Sequence, residues 1–215
     1  TGAETPPPPP PEYLKADVTN IKLLLPEKTV PTEAKINAAN TLMHPDSDEY
    51  FRAFKKHEQI DVWAQVNSPD VTNAMYDLGK TNPEILARYT AWSHTTFKRL
   101  FATWIDTASQ ANYDTKGLNI TFNQGTGQLE YTPRSEIMKY NRGALFDGRP
   151  QKDRLSSDAE DAIDRINRGL RVQANVLGLD NRTIDTQYLR ELGFDISAAA
   201  PSRETKESGK ELTPA

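Results

Sequence analysis

Three histidines, thirty acidic residues and no cysteine bound the chemistry open to this 215-residue chain. Without a thiol there is no disulfide, no thiolate nucleophile and no Cys-ligated metal. His44, His57 and His94 lie in three separate segments. A closed metal site needs about four ligands and a catalytic one three. His57-Glu58 opens like a helix-borne zinc motif, but Asp61 stands where the second histidine belongs. Ala74 to Thr81 (AMYDLGKT) fits the loosest phosphate-loop pattern with Ala in place of the first Gly. That chemistry needs a strand before the loop and a helix starting at the Lys-Thr. Here the preceding residues read as helix, Gly79 reads as its stop, and Asn82-Pro83 starts the next helix. No Gly-x-Ser-x-Gly elbow is present for a serine nucleophile. The expectation is a protein without catalytic residues, metal or cofactor.

Charge offers a different kind of site. Residues 139–154 carry five basic groups (Lys139, Arg142, Arg149, Lys152 and Arg154) against two acidic ones. Arg165, Arg168 and Arg171 follow at three-residue steps on a predicted helix, with Asp161 and Asp164 among them for intrahelical pairing. These eight basic residues are the candidate partner-binding set. They suit an acidic protein surface or, as an alternative, the phosphates of nucleic acid. The whole chain has a net charge of −4, which argues against nucleic-acid coating as its main task. Glu207-Ser208 resembles the Glu-Ser pair of lytic transglycosylases, but it sits in a polar stretch with no helix around it, so a cell-wall hydrolase accessory is the remote alternative.

The elements that must position these groups are mostly helical. Hydrophobic residues make up 36% of the chain and mean hydropathy is −0.70. No segment approaches the ~18 uninterrupted apolar residues of a membrane span, and the start of the chain carries no secretory signal. Residues 1–11 end in six consecutive prolines, Pro6 to Pro11. They predict an extended rod of about 19 Å at ~3.1 Å per residue. A helical domain over 12–196 and a polar tail over 197–215 complete the expected organisation.

Within that domain, Pro31-Thr32 predicts a short helix to about Leu42, and a second helix is expected over roughly 47–66. Ser68-Pro69-Asp70 and Asn82-Pro83-Glu84 are start signals: a capping residue, Pro at the first helical position and an acid in the first turn. The helix from 83 to about 111 is the expected spine. Its apolar residues, Ile85, Leu86, Tyr89, Trp92, Phe97, Leu100, Phe101, Trp104, Ile105 and Ala108, recur at three- and four-residue steps. The period then drops to two over Leu118, Ile120 and Phe122, and over Leu129 and Tyr131 after Gln124-Gly125-Thr126-Gly127. This predicts a β-hairpin over about 118–131. Because an isolated hairpin is marginal in water, it must pack on the long helix or join another chain. Ser157-Asp158-Ala159-Glu160 reads as a capping box, opening a helix to about Leu177. Gly178-Leu179 is its expected Schellman stop. A last helix is expected over 185–192, ended by Gly193.

The Leu118–Tyr131 hairpin, and residues 155–196 with their amphipathic Asn- and Arg-bearing helix and short final helix (from Leu155-Ser156-Ser157-Asp158 through Arg165-Ile166-Asn167-Arg168-Gly169-Leu170 to Leu192-Gly193-Phe194), are similar to the C-terminal regions of internal virion proteins of short-tailed phages, which are ejected ahead of the DNA. The similarity covers at most a third of the chain. It implies a non-enzymatic phage virion component that works through protein–protein contacts in DNA ejection, the internal core or the tail and neck. The partners would be other copies of the chain or other virion proteins. The implied location is the virion, assembled in the host cytoplasm, in an oligomer.

Overall fold

The computed structural model of the chain describes Ile21 and residues 30–115, 119–134, 155–178 and 184–194. The expected proline arm and the polar tail lie outside these residues. The described part is mainly helical: α1 (Thr32–Leu42), a 3-10 turn (Pro45–Ser47), α2 (Asp48–Arg52), α3 (Lys56–Val66), α4 (Pro69–Thr81), α5 (Pro83–Asp114), β1 (Ile120–Asn123), β2 (Gln128–Tyr131), α6 (Ser157–Leu177) and α7 (Thr186–Leu192). Among these residues no helix is long and apolar enough to cross a membrane.

The spine is α5, 32 residues and about 48 Å long at 1.5 Å per residue. Its two halves serve two apolar clusters. The first half gives Ile85 and Tyr89 to a cluster with Ile21, Ala38, Ala39 and Leu42 of α1, Phe51, Val62, Val66, Val71 and Met75. The second half gives Phe97, Leu100, Phe101, Ile105 and Ala108 to a cluster with Trp63, the hairpin residues Ile120 and Leu129, and the buried faces of α6 and α7. Trp92 packs against both. The three- and four-residue apolar spacing therefore has one physical cause: each half of the helix has a layer to cover.

Several local expectations are corrected by the structure. The helix expected over 47–66 is two helices. The chain breaks at Ala53–Lys55, where the Gln59 amide donates to the Phe54 carbonyl at 2.7 Å and the Glu58 carboxylate accepts from the Lys55 N–H at 2.9 Å. Side chains thus satisfy the backbone groups a continuous helix would have paired. Gly79 does not end α4, which runs on to Thr81. A Cβ at position 79 would meet Leu86 at 2.9 Å, so the glycine permits the close approach of α4 to α5. Ser68 precedes α4 as expected, but its hydroxyl donates to Asp70 at 2.5 Å rather than serving a backbone N–H. Asp70 also accepts from Thr32 at 2.7 Å and Lys35 at 3.2 Å, tying α1 to α4. Burial would raise the Asp70 pKa, but these donors outweigh it and hold the carboxyl well below the usual range.

At the other end of the fold, the α6 cap is Ser156, whose Oγ accepts from the Ala159 N–H at 3.1 Å; the capping box read at Ser157 is one residue late. Gly178 has extended backbone (φ −177°) and makes no Schellman stop. That motif lies at the end of α7. Gly193 is left-handed (φ 99°), its N–H donates to the Arg190 carbonyl at 2.9 Å, and the Phe194 N–H donates to Leu189 at 2.9 Å. Leu189 and Phe194 are both buried in the second cluster.

Candidate interaction surface

The hairpin rests on α6 rather than chiefly on α5. Its register pairs Ile120 with Tyr131 and Phe122 with Leu129. Of the two turn glycines, only Gly127 takes positive φ (67°). The Asn123 side chain closes the turn by accepting from the Gly125 N–H at 2.8 Å. The outer edge of β2 is completed by a side chain. Asn167 Oδ1 accepts from the Leu129 N–H at 2.8 Å, and Asn167 Nδ2 donates to the Leu129 carbonyl at 2.7 Å. One buried amide therefore stands in for a third strand at that residue. Two further residues on the same stripe of α6 extend the grip. Asp164 accepts from the Tyr131 hydroxyl at 2.8 Å, and Glu160 accepts from the Arg134 N–H at 2.6 Å. Burial, then the Asp164 carboxylate, push the Tyr131 phenol up to about 12.

Inside the bundle a chain of polar side chains also bonds one element to another. Trp63 Nε1 donates to the Ser93 carbonyl at 3.1 Å, and Ser93 Oγ donates to Gln173 at 2.6 Å. Gln173 in turn donates to the Tyr188 hydroxyl at 2.5 Å, which links α3, α5, α6 and α7. Tyr89 Oη donates to the Val66 carbonyl at 2.8 Å.

Outside, α6 presents a charged face. Arg165, Arg168 and Arg171 are all exposed, as are Asp158, Asp161 and Asp164. Arg165 is partly engaged: its Nε lies 2.8 Å from Asp161, and its guanidinium lies 5.0 Å from the Trp104 ring centre. Lys56 of α3 sits over the same indole at 4.2 Å. The Arg171 Nε reaches only the Asn167 carbonyl at 3.4 Å, so neither Arg168 nor Arg171 has an acidic partner among the described residues. The half-buried rings of Trp104 and Tyr131 flank the face. Of the eight predicted basic residues, the structure brings these three together. Lys139, Arg142, Arg149, Lys152 and Arg154 lie outside the described residues.

Lys56, Trp104 and Tyr131 are the part sequence reasoning missed. Trp104 fell on the apolar stripe of the long helix, the hairpin aromatics read as core ahead of an interface stripe, and nothing in the spacing places Lys56 beside a helix some fifty residues away.

The other candidate chemistry is placed as follows. Residues 74–81 are helical, and Lys80 pairs with Asp77 at 3.1 Å. His57 is exposed. His44 Nδ1 accepts from the Asp46 N–H at 3.2 Å. His94 packs edge-on to Tyr188 with ring centres 4.9 Å apart. Among the described residues, no three His, Asp or Glu side chains come together as a metal site. Glu207-Ser208 lies outside them. Compared with known proteins, the chain matches no family model, no curated protein and no solved structure.

Proposed function

We propose that the chain is a non-catalytic component of a large assembly, acting through protein–protein contacts and extended arms. The observation that carries this reading is the outer face of α6: six exposed charged side chains between two half-buried aromatic rings. Tyr, Trp and Arg are enriched where proteins meet, because rigid rings and planar guanidinium groups bury area at low entropic cost. The interior supports the same reading, since Asn167, Gln173, Ser93 and Tyr188 are used to bond one element to another. The resemblance of 155–196 and the hairpin favours a phage virion as the setting, in an internal, ejection or neck structure assembled in the host cytoplasm. Partners are other copies of the chain or other virion proteins. Gradient sedimentation of source material, followed with an antibody to the chain, tests this. The chain should travel with a large particle and stay with it after nuclease treatment. Migration only at the 24.1-kDa position would overturn the proposal.

A second reading, contact with nucleic acid through the basic segment 139–171, is favoured by the exposed guanidinium groups of Arg168 and Arg171. It expects duplex DNA to bind at about 50 mM salt with a steep loss as salt rises. No binding at that salt removes it.

A further inference from the structure

We infer that the outer face of α6 is a self-complementary interface on which a second copy of the chain docks with its α6 antiparallel, across a two-fold axis. The inference rests on the proposed function and names the partner and geometry at the same face.

The face carries Asp158, Asp161, Asp164, Arg165, Arg168 and Arg171. Their signs are antisymmetric about the midpoint between Asp164 and Arg165. Reversing the helix about that point sets Asp164 on Arg165, Asp161 on Arg168 and Asp158 on Arg171. An isologous contact requires this property, since whatever residue i meets on the partner must in turn meet i. All six side chains are exposed. They fall within an arc of about 140° at 100° per residue, so one neighbour can meet them together. The one charged residue of α6 outside the pattern, Glu160, is turned to the Arg134 N–H.

Two simpler explanations fall short. The helix dipole favours acids in the first turn and bases in the last, and fades beyond a turn. Here the last turn has no base, and four of the six charges sit mid-helix. Intrahelical pairing uses Asp161 with Arg165 and leaves Asp158, Arg168 and Arg171 without an ionic partner among the described residues, while Asp164 is bonded to Tyr131. Of the unspent charges, the antiparallel arrangement matches Asp158 with Arg171 at its two ends and sets Arg168 on Asp161. One helix pair is smaller than a standard interface, so Trp104 and Tyr131 on the flanks would supply apolar area. Exposed pairs are screened by salt, so the dimer should be salt-sensitive.

Light scattering on the full chain between about 1 and 200 μM tests the interface with two charge-reversed variants. Asp158→Lys/Asp161→Lys leaves Asp164 as the one acid on a basic face, and Arg168→Glu/Arg171→Glu leaves Arg165 as the one base on an acidic face. At about 50 mM NaCl, the unmodified chain should approach twice 24.1 kDa. Each variant alone should dimerise at least about tenfold more weakly, because four attractive pairs become repulsive. The equimolar mixture should form a heterodimer, which a merely misfolded variant cannot do. Raising salt to about 500 mM should dissociate the unmodified dimer.

An unmodified chain that stays at 24.1 kDa overturns the inference, as does a mixture that fails to associate. Variants that dimerise as well as the unmodified chain overturn this interface. None of these outcomes touches the gradient experiment, which separately decides whether the chain belongs to a large particle.

Discussion

At the scale of single residues, Asn167 and Gly169 do the most with the least. Asn167 binds both main-chain groups of Leu129 in a buried setting. Removing its amide strands an N–H and a C=O, and each buried orphan costs about 1–3 kcal/mol. Asn167→Ala should therefore lower the urea midpoint and raise amide exchange across 120–131; unchanged exchange in the hairpin would show that the amide does not hold it. Gly169 faces the stacked pair Phe97 and Phe101, whose ring centres are 4.5 Å apart. A Cβ at 169 would lie 2.1 Å from Phe97. Both rings are buried in the core and have little room to shift, so Gly169→Ala should destabilise by about 1–3 kcal/mol through overpacking, read as a fall in Tm. A variant as stable as the original would mean that the helices separate freely there. Neither role was legible beforehand. Asn167 reads as one more polar residue on a helix, and Gly169 as a mild helix weakener, because the atoms that give each its task lie far away in sequence.

At the scale of elements, α7 is held in part by a contact with a titratable ring. His94 on α5 packs against Tyr188 of α7, and its buried Nδ1 has no hydrogen-bond partner among the described residues. Burial lowers the His94 pKa below its ordinary 6.5; Glu191 of α7 pulls it up and Lys98 of α5 pushes it down. From α6 the uncharged Gln173 completes the contact at the Tyr188 hydroxyl. Docking thus favours the neutral ring. The His94 contribution is fully present above about pH 6.5 and is lost as pH falls through the lowered folded value. Amide exchange over 186–192, corrected for intrinsic rate, should rise between pH 7.5 and 5 in the native chain and stay flat in His94→Gln. An equal rise in both would assign the effect to other groups. The helix itself was legible from Asp185 and Gly193, which cap it as their types require. Its proton linkage was not, because it arises where two distant helices meet.

At the scale of the whole molecule, α5 makes one cooperative unit of two cores. Trp92 touches both clusters, and the ends of α5 lie in different ones, so neither layer can melt without exposing the spine. Urea unfolding followed by tryptophan fluorescence and by far-ultraviolet circular dichroism should give coincident transitions; two separated midpoints would show that the clusters unfold independently. What the sequence determined alone is the part written in short-range chemistry. Apolar residues at three- and four-residue steps made α5 and α6, proline at the first turn opened α4 and α5, alternation made the hairpin, and a glycine able to take positive φ closed α7. Each of these is a preference of a few neighbouring residues for one backbone geometry. Only the tertiary structure decided the break at Ala53–Lys55, the tolerance of α4 for Gly79, the seat of the hairpin on Asn167, and the meeting of Lys56 and Arg165 on Trp104. Those outcomes turn on packing and hydrogen bonds between residues tens of positions apart, where the energy of the contact outweighs the weak local preference and leaves no periodic trace in the chain.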